Sequence, residues 1–316
     1  MSVPVSPAAS AAVCPRSRSG LACLVASGLL WGTGGLIGTL LGRTAGLSPL
    51  AVAAIRLLAG GGLIIAFLTV TGGAFPSGRA AWRRVAVNGL LSALFQGCYF
   101  AAISLTSVSL ATLVTIGAAP VIVAAVERIR DGRTLGRQGL ITLGLALAGL
   151  ALLVGHPGGG PGGPGSVAVL TGSGLALLSA AGFAAVTLIG TSPVPGLTDL
   201  TVNGYGFTLG GLVLLPLTVF GGGLGFRAGL SPADLAAAAG LLLALAVGPT
   251  AVAYTLYYRG LRTESAATAA LLTLLEPLAA AVLGTTFLGD RLGVTGVAGA
   301  LILGAALVRA IRGRRQ

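Results

Sequence analysis

The stretch SAATAALLTLLEP, from Ser265 to Pro277, has an earlier counterpart in SLATLVTIGAAP, from Ser109 to Pro120. Both stretches are rich in Ser, Ala or Thr, both end in a proline inside an apolar run, and the later one is one residue longer. A tyrosine-containing run precedes each of them, with Tyr99 in the first half of the chain and Tyr254 in the second. This match predicts two related halves, although helices rich in Ala, Leu and Gly also align to some extent by chance.

The composition of the chain indicates which solvent surrounds the folded protein. Its 316 residues are 55% hydrophobic and only 8% charged, and the mean hydropathy is +0.98. A soluble domain carries charge on roughly 25% of its residues. Because too few polar side chains are present to cover a water-facing surface, lipid must be the main solvent.

Apolar runs that are long enough to cross a bilayer recur along the chain. A spanning helix needs about 20 largely apolar residues. The runs are continuous, which favours helices over strands because each helix satisfies its own backbone in lipid. An all-α integral membrane protein with ten transmembrane helices is predicted, with spans near Leu21–Leu41, Pro49–Val70, Val85–Leu105, Ser107–Val126, Gln138–Val154, Val167–Gly190, Leu200–Phe220, Leu235–Tyr257, Ser265–Leu288 and Val294–Ile311.

A Gly- and Pro-rich break, HPGGGPGGPGS, separates two sets of five spans. Five is an odd number, so the second set must enter the membrane upside down relative to the first. Such inverted repeats are a recurrent transporter architecture, with the substrate site near the midplane at the repeat interface. The predicted organisation is a cytoplasmic tail (1–20), a first repeat (21–154), a linker (155–166), a second repeat (167–311) and a basic tail (312–316).

The net charge of +12 results from 19 arginines and seven acidic residues, and the chain contains no lysine. The arginines lie between apolar runs and form no single basic face, which indicates membrane topology and disfavours a nucleic acid partner. If the N-terminus is cytoplasmic, only Arg43, Arg227 and Arg291 face outward and Arg56 lies inside a span. The other fifteen face the cytoplasm, namely Arg16, Arg18, Arg79, Arg83, Arg84, Arg128, Arg130, Arg133, Arg137, Arg259, Arg262, Arg309, Arg312, Arg314 and Arg315. This bias predicts an inner-membrane protein with both termini in the cytoplasm.

Sequence motifs of enzymes and metal sites are absent. The chain contains no HExxH, no GxxxxGK[ST] and no GxSxG. Cys14, Cys23 and Cys98 lack paired spacing, and His156 is the single histidine. No catalytic residue, metal site or cofactor is therefore expected.

Glu276 is the most informative ionisable residue of the chain. It lies twelve residues after Glu264 and fourteen before Asp290, which places it near the middle of the membrane. A charge there costs about 2.5–3.5 kcal/mol on insertion scales. The adjacent Pro277 removes a backbone donor and can kink the helix. Glu276 is predicted to bind a cationic group or a coupling proton, and the alternative is a structural carboxyl group.

Other candidates for the substrate pathway are polar or aromatic residues within predicted spans. Arg56 can extend to the interface, bind an anionic substrate group in a cavity, or pair with Glu276. The remaining candidates are Trp31, Gln96, Tyr99, Asn203, Tyr205 and Tyr254. For each of these, helix–helix hydrogen bonding or an interfacial aromatic belt is the alternative.

Glycines and prolines inside the spans predict close helix packing and kinks. The glycines at 34, 38 and 42, at 28 and 32, and at 206 and 210 are spaced by four, which lets helix backbones approach closely. Pro120, Pro249 and Pro277 are predicted kinks, either required by the fold or acting as hinges in transport.

Several features together resemble a known family. They are Trp31-Gly32, Pro49 with Arg56, Pro120 followed by Glu127-Arg128, and LLTLLEPLAAAVLGTTFLGDRLG from Leu271 to Gly293. In these features the chain resembles the EamA-type members of the drug/metabolite transporter superfamily over nearly its whole length beyond the first twenty residues. Asp290, where the family more often has Glu, and the Gly/Pro-rich central loop depart from the pattern. The resemblance implies a carrier in the cell membrane that moves metabolites or drugs, usually outward.

The predicted function is a secondary transporter that exports a small metabolite or drug-like compound by alternating access, with protons as a candidate counter-ion. An importer of the same fold is one alternative. A non-transporting membrane protein, such as an assembly partner or a lipid-modifying enzyme, is another. Ten spans can enclose a pathway within one chain, so a monomer is expected, with a dimer as the alternative.

Overall fold

The computed structural model describes residues 18–73, 75–132, 134–155, 165–220, 224–225, 227–288 and 291–312. Within this part of the chain, ten helices are long and apolar enough to cross a membrane. They are α1 (Arg18–Ala45), α2 (Pro49–Val70), α3 (Gly78–Leu105), α4 (Val108–Asp131), α5 (Arg137–Val154), α6 (Ser166–Gly190), α7 (Asp199–Phe220), α8 (Pro232–Leu261), α9 (Ala266–Phe287) and α10 (Val294–Arg312).

The ten predicted spans are confirmed. The largest difference is in α3, which begins at Gly78 where the sequence predicted Val85. Its first two turns carry arginines, so the helix extends beyond the apolar run from which the span was predicted. Most of the predicted linker, with His156, and Asp290 lie outside the described residues.

Serine side chains cap the N-termini of several helices. The Ser48 hydroxyl accepts a hydrogen bond from the Ala51 N–H at 3.2 Å, and Pro49 follows at the first helical position, where it lacks only an N–H that would have no helical partner. In the same way, the Ser107 hydroxyl accepts from the Leu110 N–H at 3.1 Å. This cap separates α3 from α4, the two spans that are least clearly separated in the sequence.

Two helices of the second repeat are irregular. In α8, a π-helical turn over Ala246–Val252 contains Pro249. In α9, one α-helical segment ends at Leu272 and the next begins at Leu275. The break in α9 therefore lies before Pro277, which occupies the first turn of the second segment, where a helix tolerates proline. By contrast, α4 is helical through Pro120.

The pattern of helix contacts reveals the repeat. Helix α1 packs against α8 and α3 against α6, while α2 packs against α7 and α5 against α10. Each helix of the first repeat corresponds to the helix five places later in the chain. Exchanging corresponding helices converts the α1–α8 pair into the α6–α3 pair and leaves the α2–α7 and α5–α10 pairs unchanged. This is the pattern expected of two repeats related by a twofold axis, and the protein is built from two inverted five-helix repeats.

The helix ends form two faces of the bundle. One face holds both ends of the described chain and is called the termini face. There Arg262, at the end of α8, pairs with Asp199, at the start of α7, through an Nε–Oδ2 hydrogen bond of 3.0 Å. At the opposite face, the Arg227 N–H donates to the Ala45 carbonyl at 2.9 Å, which ties the end of α1 to the α7–α8 loop.

Of the glycines spaced by four, the pairs at 28 and 32 and at 206 and 210 bring neighbouring backbones together, whereas those at 34, 38 and 42 line the cavity described below. A Cβ atom on Gly32 would lie 2.5 Å from the Ala279 Cβ, so α1 approaches α9 closely. A Cβ atom on Gly210 would lie 2.9 Å from the Gly89 carbonyl oxygen, so α7 approaches α3 closely. No larger side chain fits at either position without moving a helix.

Candidate functional site

A cavity of about 590 Å³ enters the bundle from the face opposite the termini face. Its mouth lies where α1 meets α2 and where α4 begins, beside Arg43, Pro49 and Val108. All three of these residues are exposed, and Val108 has a relative exposure of 61%. The size is within the range of about 300–1,000 Å³ that is typical of small-molecule sites.

Six of the eight residues predicted to line a pathway come together in this cavity. They come from five helices, α1, α2, α3, α8 and α9. These residues are Trp31, Arg56, Gln96, Tyr99, Tyr254 and Glu276.

The cavity contains opposite charges that are not paired with each other. Glu276 is the one acidic residue among the lining residues, and Arg43 and Arg56 are the basic ones. Arg56 and Glu276 are close enough for their charges to interact. Within the described part of the chain, however, no ion pair joins Arg56 to Glu276, and the Arg56 Nε atom is buried without a hydrogen-bond partner. Neither charged group is therefore neutralised by an ion pair with the other.

Small residues make room for the Arg56 guanidinium. On α2, the small residue Ala53 lines the cavity together with Arg56. On α1, a Cβ atom added to Gly34 would lie 3.9 Å from Arg56 Nη1. The next glycine, Gly35, has no neighbouring atom within 4 Å of such a Cβ, so this part of the α1 surface opens into the cavity.

The break in α9 positions Glu276. The Glu276 N–H donates to the Thr273 carbonyl at 2.9 Å, in a tight turn that starts the second helical segment. A Cβ atom on Gly32 would lie 2.9 Å from the Glu276 carbonyl oxygen, so the backbone of α1 holds this turn from the other side. The local backbone of Glu276 is thus fixed by α1 and by the break.

A cluster of aromatic rings forms the floor of the cavity: Trp31, Phe95, Phe183 and Tyr254 line it, and Tyr257 packs behind Trp31. The Trp31 ring lies 4.9 Å from the Tyr254 ring and 5.0 Å from the Tyr257 ring, measured between centroids. Phe183 lies 6.1 Å from Trp31 and 5.3 Å from Phe95. These five residues are called the aromatic floor. Among the described residues the Trp31 Nε1–H is buried and has no hydrogen-bond partner.

Hydrogen bonds between helices close the bundle at the termini face. The carboxylate of Glu127, at the end of α4, accepts from the N–H groups of Ala266 and Ala267 at 3.2 Å each. Glu127 therefore caps the N-terminus of α9 from the other repeat. The Arg84 guanidinium, on α3, donates to the Ser192 carbonyl after α6 at 2.8 Å. The cavity is thus open at one face of the bundle and closed at the other.

Asn203 and Tyr205 are not among the residues that line this cavity. Both lie in the first two turns of α7, which begins at the termini face. The Tyr205 ring packs 5.4 Å from Phe75 and 5.8 Å from Trp82. This cluster fits the alternative of an interfacial aromatic belt. Asn203 is completely buried, and its side-chain atoms have no hydrogen-bond partner in the described chain.

Several cavity residues are not predicted from the sequence. Arg43, Thr115, Phe183 and Thr273 line the cavity. Thr115 and Thr273 lie five and four residues before the matched prolines, so the repeated stretch itself contained a signal for them. Phe183 lies in an apolar run that gives no indication of which face it occupies.

Comparison with known proteins gives matches over most of the chain. Residues 18–155 and 170–311 each match the model of the EamA-like transporter family. The "Uncharacterized transporter YwfM" of Bacillus subtilis (strain 168) is 28% identical over 288 residues, which cover 90% of this chain and 92% of that protein. A solved crystal structure matches with a TM-score of 0.73 at 17% identity, covering 96% of this chain and all of that one, and supports the fold alone.

Proposed function

Because this membrane protein belongs to the EamA-like transporter family, we propose that it is a secondary carrier that exports a small metabolite or drug-like compound by alternating access. The observation that supports this proposal best is the cavity with Arg56 and Glu276. It is open at one face and closed at the other by the aromatic floor and the hydrogen bonds behind it. A carrier that works by alternating access needs a binding site that is open to one side of the membrane while the protein closes it off from the other side.

The arginine distribution supports the orientation proposed for this state. Of the 15 arginines within the described residues, eleven lie on the side of the termini face, three lie on the opposite side, and Arg56 lies within a span. The positive-inside rule then places the termini face in the cytoplasm and the mouth of the cavity outside. The protein would sit in the inner membrane, and the described conformation would be the one that releases an exported compound.

The lining of the cavity supports a substrate with an apolar body and at least one polar group. The aromatic floor offers flat apolar surface to the body. Arg56 and Glu276 offer one positive and one negative group. The Tyr99 hydroxyl shares a hydrogen bond of 2.7 Å with the Thr112 hydroxyl, which fixes its position at the wall.

Proton coupling is proposed to run through Glu276. As the one acidic residue lining the cavity, it is the group able to hold a proton there in exchange for the substrate. In this scheme a proton binds Glu276 from the outside as the substrate leaves, and it is released to the cytoplasm before the next substrate binds. The cycle then uses the proton gradient for export.

Untargeted metabolite profiling of medium and cells tests the proposal. Four strains are compared at matched expression: wild type, Glu276→Gln, Asp234→Asn and empty vector. Asp234 lies in the exposed first turn of α8 and does not line the cavity, so its variant controls for the loss of a carboxylate. We expect a compound that accumulates outside with wild type and Asp234→Asn but not with Glu276→Gln or vector. Accumulation with Glu276→Gln equal to wild type would refute the role of Glu276. Identical profiles of all strains would refute export.

A further inference from the structure

Four helices each carry a buried polar residue behind the aromatic floor. They are Asn88 on α3, Thr187 on α6, Asn203 on α7 and Tyr258 on α8, and are called the inner polar layer. None has a relative exposure above 4%, and Thr187 and Asn203 are completely buried. The layer is separate from the cavity, because none of the four lines it.

The register of α7 against α8 places Asn203 beside Tyr258. The two helices are antiparallel neighbours, joined at the termini face by the Asp199–Arg262 pair. Deeper in the bundle, the Phe207 ring lies 4.7 Å from the Tyr254 ring. Asn203 lies midway between Asp199 and Phe207, and Tyr258 lies midway between Tyr254 and Arg262. Residues four apart share a face of a helix, so Asn203 and Tyr258 face each other.

The layer lies at one depth in the bundle. On each of its helices it falls between a residue at the level of the floor and a residue at the termini face. In that order the sets are Phe95, Asn88 and Arg84 on α3; Phe183, Thr187 and Ser192 at α6; Phe207, Asn203 and Asp199 on α7; and Tyr254, Tyr258 and Arg262 at α8.

Several polar atoms of the layer lack partners. The Tyr258 hydroxyl donates to Asn88 Oδ1 at 2.8 Å. Within the described chain, Asn88 Nδ2 and both amide atoms of Asn203 have no hydrogen-bond partner. A polar group that is buried without a hydrogen-bond partner destabilises the fold, because it gives up its hydrogen bonds to water and gains none. An apolar residue at position 203 would avoid this destabilisation in the described conformation. We therefore expect the Asn203 amide to form hydrogen bonds in a different conformation of the protein.

The inverted repeat indicates what the other conformation uses. Helices α1, α2 and α3 line most of the open cavity. Their repeat partners are α6, α7 and α8, which carry three of the four residues of the layer. When the bundle opens at the termini face, these partners are the helices expected to line the opening.

We propose that Asn203, Asn88 and Tyr258 form a second substrate-binding station, which the substrate occupies after the bundle opens at the termini face. The proposal rests on the alternating access proposed above. Two amides and a phenol offer hydrogen-bond donors and acceptors without a formal charge. The station therefore takes the uncharged polar groups of the substrate, such as hydroxyl, amide or carbonyl groups, whereas the open cavity offers charges.

Cysteine accessibility tests the station without knowledge of the substrate. Single cysteines replace Asn203, Val202 or Gly35 in a chain whose native cysteines are changed to alanine. The probe is the impermeant reagent 2-(trimethylammonium)ethyl methanethiosulfonate, added to right-side-out and inside-out membrane vesicles. Val202 is the matched control, since it is the buried neighbour of Asn203 on another face of α7. Gly35 reports the open cavity.

We expect Asn203→Cys to react only when the termini face is exposed to the reagent, at least tenfold faster than Val202→Cys. Gly35→Cys should react from the opposite face. If Gly35→Cys reacts while Asn203→Cys is no faster than Val202→Cys from either face, the station is refuted and the proposed function stands. If Gly35→Cys is also unreactive, the open cavity and the station are both refuted.

The stability of Asn203→Leu gives an independent test. A station used only in the other conformation predicts a melting temperature of the detergent-solubilised protein at or above that of wild type. Export of the compound found by profiling should fall at least tenfold. A melting temperature below that of wild type would mean that Asn203 supports the described conformation, which would overturn the proposal.

Discussion

Helices α4 and α9 occupy equivalent places in the two repeats, but only one of them carries a charge into the cavity. In α4 the residue before the proline is Ala119, and in α9 it is Glu276. Both line the cavity, and both prolines are buried. The repeat thus provides a symmetric frame, while a single difference between its halves provides the carboxylate.

The two helices also differ in backbone structure. Helix α4 is continuous from Val108 to Asp131, whereas α9 is broken between Leu272 and Leu275. The break requires support from neighbours, which α1 supplies through Gly28 and Gly32. The irregular helix at the site is therefore held by close backbone contacts with α1.

The largest expected effect on stability comes from separating α1 and α9. In Gly32→Leu the added atoms meet Ala279 and the Glu276 carbonyl, so the substitution should lower the free energy of unfolding by about 1–3 kcal/mol. Thermal denaturation in detergent measures the change. Gly62→Leu on α2 is the control, because its Cβ meets open space. Equal melting temperatures for the two variants would show that α9 does not depend on this contact.

The next effect concerns the link from α4 to α9. Glu127→Ala removes both hydrogen bonds to the first turn of α9 and should cost about 0.5–2 kcal/mol, as loss of a helix cap does. Asp131→Ala, four residues further on, removes an ion pair with the exposed Arg130 and should have little effect. If Asp131→Ala lowers the melting temperature as much as Glu127→Ala, the two hydrogen bonds of Glu127 to α9 do not make the expected contribution to stability.

The two prolines should respond differently to replacement. In α4, which is already continuous, Pro120→Ala restores a backbone donor and should leave export unchanged, with a gain of about 0.5–1.5 kcal/mol. In α9, Pro277→Ala supplies an N–H that can bond to Thr273 and close the break, which moves Glu276. We expect severalfold slower export for Pro277→Ala. Equal export rates for both variants would contradict a functional role of the break.

The smallest effect distinguishes two threonines of the repeated stretches. The Thr115 hydroxyl donates to the Ala176 carbonyl on α6 at 3.1 Å, whereas Thr273 donates to Ala270 in its own helix. Thr115→Val should cost about 0.6 kcal/mol, the average for hydrogen bonds between membrane helices. Thr273→Val should be close to neutral. A larger loss of stability in Thr273→Val than in Thr115→Val would contradict the view that Thr115 forms the hydrogen bond that matters more for stability.

The fold could be predicted from the sequence because lipid imposes a strict requirement on helix length. The ten apolar runs were enough to predict the ten spans, and the matched positions of Pro120 and Pro277 helped to predict the repeat. Helix ends were less predictable. Arginines extend α3 past its apolar run to Gly78, because outside the hydrocarbon region a helix no longer needs apolar residues.

Glu276 and Arg56 were identifiable because charge inside a span is costly, and the structure places both at the cavity. The break before Pro277 could not be identified from the sequence, because a proline indicates a kink in a helix but does not show at which residue the helix breaks. Asn88 was also missed, although Asn88, Ser92 and Gln96 are spaced by four and all are buried on α3. That spacing marks one polar face, which a search for single residues overlooks.

The interfaces between the repeats could not be predicted from local patterns. Glu127 lies at the end of α4 and caps α9, which is 139 residues away along the chain. In the sequence it is one of several charged residues at the end of a span. Only the packing of the two repeats reveals its partner.

The most direct test of the central claim uses purified protein in proteoliposomes with the compound identified by profiling. Two rates are measured for wild type and Glu276→Gln: transport driven by a pH gradient, and counterflow exchange without a gradient. If Glu276 carries the coupling proton, the variant should lose the pH-driven transport at least tenfold and retain exchange. Transport driven by the pH gradient at the wild-type rate in Glu276→Gln would contradict the account.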